Sequence, residues 1–331
     1  MLGNLYTICS MGVRETVRDS MESRRKYGDA NPVPYNAPSV ENKGTKELKD
    51  LLNEIHANVQ RALQEDIGSG DLTASLIPSG KTLAAKVISR ENAVLCGIQW
   101  FEACFVSLAV DTEIEWFAKD GDFVPAGQTL CEIKGNARAL LTAERSALNF
   151  LQLLSAVATQ TRRFADAVAG TGAVIVDTRK TLPGLRLAQK YAVTCGGGVN
   201  HRIGLYDGIL IKENHIIAAG GIQPALSRAR EIAPPGVFIQ IEVESLQELQ
   251  EALAAGARMV LLDNFTLDQL ADAVTLTRKQ AGEAVILEAS GNINLDNVRQ
   301  VAETGVDRIS IGGLTKNIQA IDLSMRFADP E

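Results

Sequence analysis

The sequence is poor in the features that would point to nucleic acid, membranes or metal-organised folds. Lysine and arginine (33) are outnumbered by aspartate and glutamate (40), leaving a net charge of −7. Nucleic acid and anionic membranes demand a broad positive field, so this balance argues against both. Any anion must be held locally. No apolar run reaches the roughly 18 residues of a membrane span, and the opening MLGNLYTICSMG has no basic stretch leading into a long apolar one. The five cysteines (Cys9, Cys96, Cys104, Cys131 and Cys195) form no CxxC pair. Their scatter argues against a disulfide scaffold or a structural zinc site, and it fits a reducing compartment. The protein is expected in the cytoplasm. GxxxxGK[ST], HExxH, GxSxG and a full GxGxxG are all missing, which removes support for nucleotide hydrolysis, zinc proteolysis, serine hydrolysis and dinucleotide-dependent redox chemistry.

What is present is an ordinary globular composition, 46% hydrophobic and 22% charged over 331 residues, enough for one large or two medium domains. Residues 1–45 are polar, with no sustained apolar period, and read as a flexible extension. From about Glu47 an amphipathic helical pattern precedes short alternating runs such as TLAAKVIS, TEIEWF and TLCEIKG, divided by turn signals. These predict a small, mostly antiparallel sheet with helices on one side. A long apolar-striped helix around LLTAERSALNFLQLLS follows. After Gly172 the runs AVIVDT, GILIK, VFIQIEVE, MVLLD, AVILEAS and RISIG alternate with helical stretches, the pattern of βα units. Six units in so short a span suggest a closed or nearly closed barrel, with an open doubly wound sheet as the other reading. Ser245 with Glu248 and Thr266 with Gln269 predict helix starts, and Gly256 and Gly305 predict helix ends.

Parallel barrels place their chemistry at the C-terminal ends of the strands. Here those ends carry Asp177, Thr178 and Arg179; Lys212; Glu242 and Glu244; Asp263; Glu288 and Ser290; Gly312 and Gly313. Strands run into polar loops in any barrel, so a single position decides little. In VFIQIEVE, however, a period of two puts Gln240, Glu242 and Glu244 on one face and Ile239, Ile241 and Val243 on the other. The apolar set should meet the helices, turning Glu242 toward the barrel mouth, where a carboxylate needs a cation, a metal or a ligand. Between Arg179 and Lys212 the cations Arg179, Lys180, Arg186, Lys190, Arg202 and Lys212 face one acid, Asp207, with His201 a further donor. Arginine forks and lysine point charges suit carboxylates and phosphates. A solvated basic face is the plainer reading. Glu242 and Asp263 at neighbouring strand ends would suit Mg²⁺ or ribose hydroxyls, or an ion pair with Lys212. The late Ser290, Gly291 and Gly312, Gly313 resemble a backbone phosphate site.

Together AERSALNFLQLLS, DTRKTLPGLR, NHR, LIKENHI, IEVESL, LLDNF, EASGNI and ISIGGLT, at their spacing here, resemble the quinolinate phosphoribosyltransferases over roughly Glu47 to Phe327. The resemblance implies an α/β chain of type II phosphoribosyltransferase fold, with an incomplete α/β (TIM-like) barrel over 161–315 preceded by a smaller α+β sandwich domain over 46–160, rejoined by a C-terminal helix over 316–328. It implies transfer of phosphoribosyl from phosphoribosyl pyrophosphate to quinolinate with decarboxylation, giving nicotinate mononucleotide, CO₂ and pyrophosphate for NAD synthesis, with Mg²⁺ and no organic cofactor. A phosphoribosyltransferase acting on nicotinate or another small aromatic acid is the alternative. The resemblance assigns Arg179, His201, Arg202 and Lys212, with Thr178 nearby, to the carboxylates of quinolinate, and Lys180 to the phosphoribosyl ligand. Glu242 and Asp263 fall to the ribose and metal, and Ser290, Gly291, Gly312 and Gly313 to the 5′-phosphate; Lys180, Lys212, Glu242 and Asp263 form the catalytic set. It also implies a homodimer in which Arg145 completes the neighbouring subunit's site. Lys316 stands where some relatives carry histidine and is given no role.

Overall fold

The computed structural model describes residues 40–327, with side chains of its first helix described from residue 50 onward. The span read as an extension, 1–45, thus lies outside the described residues except for its last few, which are helical. The chain forms two compact units: one holds the residues up to Ala156 and those from Ala320, the other Val157–Gln319. Helices and strands are numbered in chain order.

In the first unit, α1 (Val40–Ile67) buries Ile55, Val59 and Leu63, a four-residue spacing that makes one apolar stripe. Helix α2 (Ile98–Leu108) turns Trp100, Phe101, Cys104 and Phe105 inward. The Trp100 indole N–H donates to the buried Asn58 side chain at 3.1 Å, so the largest core residue brings its own polar partner. The strands β1 (Thr82–Ser89), β3 (Glu113–Trp116), β5 (Thr129–Asn136) and β12 (Leu323–Phe327) make an antiparallel sheet in the order β12-β1-β5-β3. The short β2 (Ala93–Val94) and β4 (Phe123–Val124) pair separately. Arg145 stands exposed on α3 (Ala137–Ala167).

Of the C-terminal helix expected over 316–328, the described residues 316–327 form nothing beyond Lys316. Helical structure ends at Lys316, and Leu323–Phe327 is a strand paired with Ala85–Ser89. The reason is visible in Leu323-Ser-Met-Arg-Phe327, where apolar and polar residues alternate with period two and the edge of β1 supplies the backbone partners.

The second unit is a six-stranded parallel sheet of β6 (Val174–Val176), β7 (Gly208–Ile211), β8 (Phe238–Val243), β9 (Met259–Asp263), β10 (Ile286–Ser290) and β11 (Arg308–Ser310). Its order, β6-β11-β10-β9-β8-β7, is that of a barrel walked round once and left open between β6 and β7. At that seam Val199 makes a single parallel bridge to Val176. The connections carry α4 (Arg186–Cys195), α5 (Glu213–Ala219), α6 (Ile222–Ile232), α7 (Leu246–Ala254), α8 (Leu267–Ala281), α9 (Val298–Glu303) and α10 (Gly313–Lys316). Ser245 accepts the Glu248 N–H at the start of α7, and Thr266 and Gln269 cap α8 reciprocally. Gly256 and Gly305 adopt the left-handed conformations expected past helix ends. Val260, Leu262, Leu287, Ile309 and Ile241 fill the core around the strands. No helix among the described residues is long and apolar enough to cross a membrane.

Candidate active site

A cavity of about 560 Å³ lies where the parallel strands end. Every site residue predicted from the sequence lines it except Arg145. β6 delivers Thr178, Arg179 and Lys180; β7 delivers Lys212; β8, Glu242; β9, Asp263; β10, Ser290 and Gly291; and β11 leads into Gly312 and Gly313. His201 and Arg202 enter from the loop before β7, and Lys316 adds a further cation.

The cationic wall is held by backbone contacts. The Arg202 guanidinium donates to the Gly208 carbonyl at 3.0 Å, and the Thr315 hydroxyl caps the Lys180 carbonyl at 2.8 Å. Arg202 and Arg179 lie close enough that, after burial, the Arg179 charge is the next influence lowering the Arg202 pKa. Arg179 Nε is buried and lacks a hydrogen-bond partner among the described residues. Two crowded guanidinium groups with an unused N–H make a slot for an anion, since an acceptor there relieves both the repulsion and the unmet donor.

The count of six cations against one acid needs correction, because it considered only a stretch of sequence. Lys190 is buried on α4 and donates to Asp177, equally buried, at 2.5 Å and to the His201 carbonyl at 3.0 Å. Lys212 pairs with Glu242 at 2.5 Å. Arg186 is spent on Thr181 and the Ile203 carbonyl. Asp207 holds the loop by accepting the N–H groups of Ile203 and Gly204. Of the six, Arg179, Lys180, Arg202 and Lys212 face the cavity.

Asp177 and Glu288, both buried in the cavity lining, anchor a polar layer that sequence reasoning left without a role. Asp177 accepts the His201 N–H at 2.8 Å and the Asn200 amide at 2.7 Å, besides Lys190. Burial pushes its pKa up to about 6, with Lys190 chief among the groups pulling it back. Glu288, fully buried, pairs with Arg308 at 3.1 Å and accepts from the Ser310 hydroxyl and from the Gln240 amide at 3.2 Å. The one sequence signal for Gln240 was its place on the inner face of β8, two residues before Glu242.

On the acidic wall, Asp263 accepts from Asn264 at 2.8 Å and from the Ser290 hydroxyl. Ser290, assigned to phosphate by resemblance, therefore points its hydroxyl at a carboxylate here. Asn264 and Asn292 both hold left-handed backbone, φ 57° and 51°, and bond to each other at 3.3 Å. Such conformations cost energy for residues with a Cβ and cluster at functional sites. Gly291, φ 94°, is required: a Cβ there would strike the Asn264 side chain. Gly312 leaves room of another kind, since its Cβ would come within 3.1 Å of Lys180 Cδ.

Residues 71–155 match the family model described as quinolinate phosphoribosyl transferase, N-terminal domain, and residues 157–326 match the corresponding C-terminal domain. The chain is 40% identical over 279 residues to a probable nicotinate-nucleotide pyrophosphorylase [carboxylating] of Bacillus subtilis, covering 84% of this chain and 93% of that one. It is 41% identical over 277 residues to the nicotinate-nucleotide pyrophosphorylase [carboxylating] of Mycobacterium leprae, covering 81% and 95%. Among solved structures it resembles the nicotinate-nucleotide pyrophosphorylase from Francisella tularensis, with TM-score 0.80, 44% identity, and coverage of 83% of this chain and 96% of that one.

Proposed function

Because the chain belongs to the quinolinate phosphoribosyltransferase family, we propose that its cavity joins quinolinate to phosphoribosyl pyrophosphate, releasing CO₂ and pyrophosphate and leaving nicotinate mononucleotide. The observation that carries the reading is one cavity with a guanidinium slot on one wall and two strand-end carboxylates on another. A dicarboxylate suits the first wall, through Arg179, Arg202 and Lys212 with Thr178 beside them. A sugar phosphate suits the second, with Lys180 on the phosphoribosyl group, Glu242 and Asp263 at the ribose, and Ser290, Gly291, Gly312 and Gly313 around the 5′-phosphate.

Glu242 and Asp263 are also the residues that would hold Mg²⁺. Among the described residues no third His, Cys, Asp or Glu converges with them at ion-binding distance. That sparse donor set fits Mg²⁺, which commonly takes one or two carboxylates and completes its shell from substrate phosphates and water. Held there, Mg²⁺ would supply positive charge against the pyrophosphate leaving group. The protein's own part is to align the pyridine nitrogen with ribose C1 and to set Glu242 and Asp263 against the positive charge that develops there.

The test is turnover of quinolinate and phosphoribosyl pyrophosphate by the full-length protein, following CO₂ and pyrophosphate with and without Mg²⁺, and with nicotinate in parallel. Equimolar CO₂ from quinolinate and pyrophosphate from phosphoribosyl pyrophosphate are expected, with nicotinate inert. Turnover of nicotinate with quinolinate inert would overturn the assignment.

The reading includes a homodimer in which Arg145 reaches the partner's site. Arg145→Ala and Lys180→Ala should each be nearly inactive, yet a mixture that has exchanged subunits should regain about a quarter of the normal rate, since half the dimers carry one intact site of two. Demonstrated exchange without recovery would sink the shared site.

A further inference from the structure

His201 lines the cavity, and a histidine among arginines invites reading as one more cation for the substrate. Its hydrogen bonds say otherwise. Nδ1 accepts the backbone N–H of Arg202 at 2.7 Å. A backbone N–H has no lone pair, so Nδ1 carries no proton. Nε2 meets Gln240 Oε1 at 2.7 Å. The other end of that amide, Nε2 of Gln240, lies 3.2 Å from the Glu288 carboxylate. Glu288 pairs with Arg308 and accepts the Ser310 hydroxyl. An ionised carboxylate donates nothing, so the Gln240 amide must donate to it and its oxygen must face the ring. The proton on the ring is then on Nε2. One end of the chain is a group that cannot accept and the other a group that cannot donate, and together they fix every proton between them.

We propose that Gln240 is a positioning residue: it locks His201 as a neutral ring protonated at Nε2, and the locked ring in turn holds the backbone of Arg202, aiming that guanidinium at the bound carboxylate. The proposal rests on the functional reading for the identity of the ligand. On this account both ring nitrogens are spent inside the protein, and His201 meets the ligand with carbon edges rather than a charged N–H. The cationic contacts come from Arg179, Arg202 and Lys212. A protonated ring would drive Nδ1–H against the Arg202 N–H.

The surroundings agree. The His201 side chain is 7% exposed, and Phe238 packs edge-on at 5.4 Å between ring centres. Burial holds His201 below the ordinary histidine range, while Glu288 and the Gln240 bond pull upward and Arg308 and Lys190 push down. Asp177 meets the backbone N–H rather than the ring, and the Arg202 guanidinium is turned to Gly208.

The experiment uses full-length protein labelled with ¹⁵N-histidine, whose three rings are His56, His201 and His215. The His201 signals are assigned by their loss in His201→Asn. Long-range ¹H–¹⁵N spectra are recorded across about pH 5–8, where an unhindered histidine titrates. The expected result is a ring with protonated Nε2 and bare Nδ1 throughout, its Nε2–H shifted downfield by the hydrogen bond. Gln240→Met removes the acceptor and should move that proton upfield, raising the KM for quinolinate by about tenfold with kcat little changed. A His201 ring that is doubly protonated at neutral pH, carries its proton on Nδ1, or is unmoved by Gln240→Met would overturn the proposal. If Gln240→Met fails to fold, the wild-type spectrum decides alone. A protein with the locked ring but no quinolinate turnover would leave this inference standing while the functional reading fell.

Discussion

Lys190→Ala is expected to lower folding stability by about 3–5 kcal/mol, the cost of removing one partner from a buried ion pair. Asp177 and Lys190 are 0% and 1% exposed and 2.5 Å apart, with Asp177 in the cavity lining. Without the ammonium, Asp177 keeps the His201 N–H and the Asn200 amide, neutral donors that do not offset a charge taken out of water. Lys190→Met should do nearly as badly, since filling the volume leaves the same orphan. Adding Asp177→Asn should recover much of the loss, because hydrophobic or neutral replacement of both partners is often tolerated. The deficit should also depend on pH. Asp177 in the folded protein sits at about 6, raised from an ordinary 3.8. A raised carboxylate withdraws stability as pH climbs from the unfolded value to the folded one. Losing Lys190 lifts the folded value further, so the mutant goes on losing stability above pH 6 after the parent has levelled off. Urea midpoints at pH 5 and pH 8 measure it: the gap between the two proteins should be wider at pH 8. Equal midpoints at pH 8 would mean the pair contributes no net stability.

Glu242→Gln should slow kcat by about 10²- to 10³-fold, the usual range for removing one preorganised electrostatic contact to a transition state. The substitution keeps shape and removes charge. Glu242 is mostly buried, with 13% of its side chain exposed, and its partner Lys212 is half exposed. On the proposed reading this carboxylate acts on ribose C1 when positive charge develops there, which is a transition-state event, so KM should change little. Lys212→Met provides the contrast. On the proposed reading Lys212 meets a quinolinate carboxylate present in substrate and transition state alike, so KM for quinolinate should rise while kcat changes less. Steady-state kinetics on both variants separate the two roles. A Glu242→Gln enzyme with raised KM and normal kcat would show that Glu242 binds ground state and transition state equally.

The parallel unit was legible in sequence because its signals are local. Six apolar runs ended in polar residues, Thr266 and Gln269 formed the expected cap, and the alternation in VFIQIEVE placed Gln240 and Glu242 on the inner face. The cavity residues followed, since strand ends converge in a barrel whatever the loops do. What escaped depends on pairings across the fold. Lys190 looked like one cation among six until the fold brought it to Asp177, thirteen residues earlier in the chain. Gln240 looked like a polar residue in an apolar strand, and its meaning needed His201 and Glu288 on either side. The segment around Leu323 was misread as a helix because its partner, β1, begins more than two hundred residues away. No window on the sequence contains both.

That last pairing also sets an order of events in time. The residues of the parallel unit are continuous, and β8, β9, β10 and β11 each pair with the strand made just before, while β6 waits only for β11. The antiparallel sheet must wait, for β12 is made after everything else described here and closes a very long loop when it docks. Until then β1 is an edge strand with a free row of N–H and C=O groups, the kind of surface that recruits stray strands. On the ribosome, the last of the described strands to be made is the one that retires that hazard.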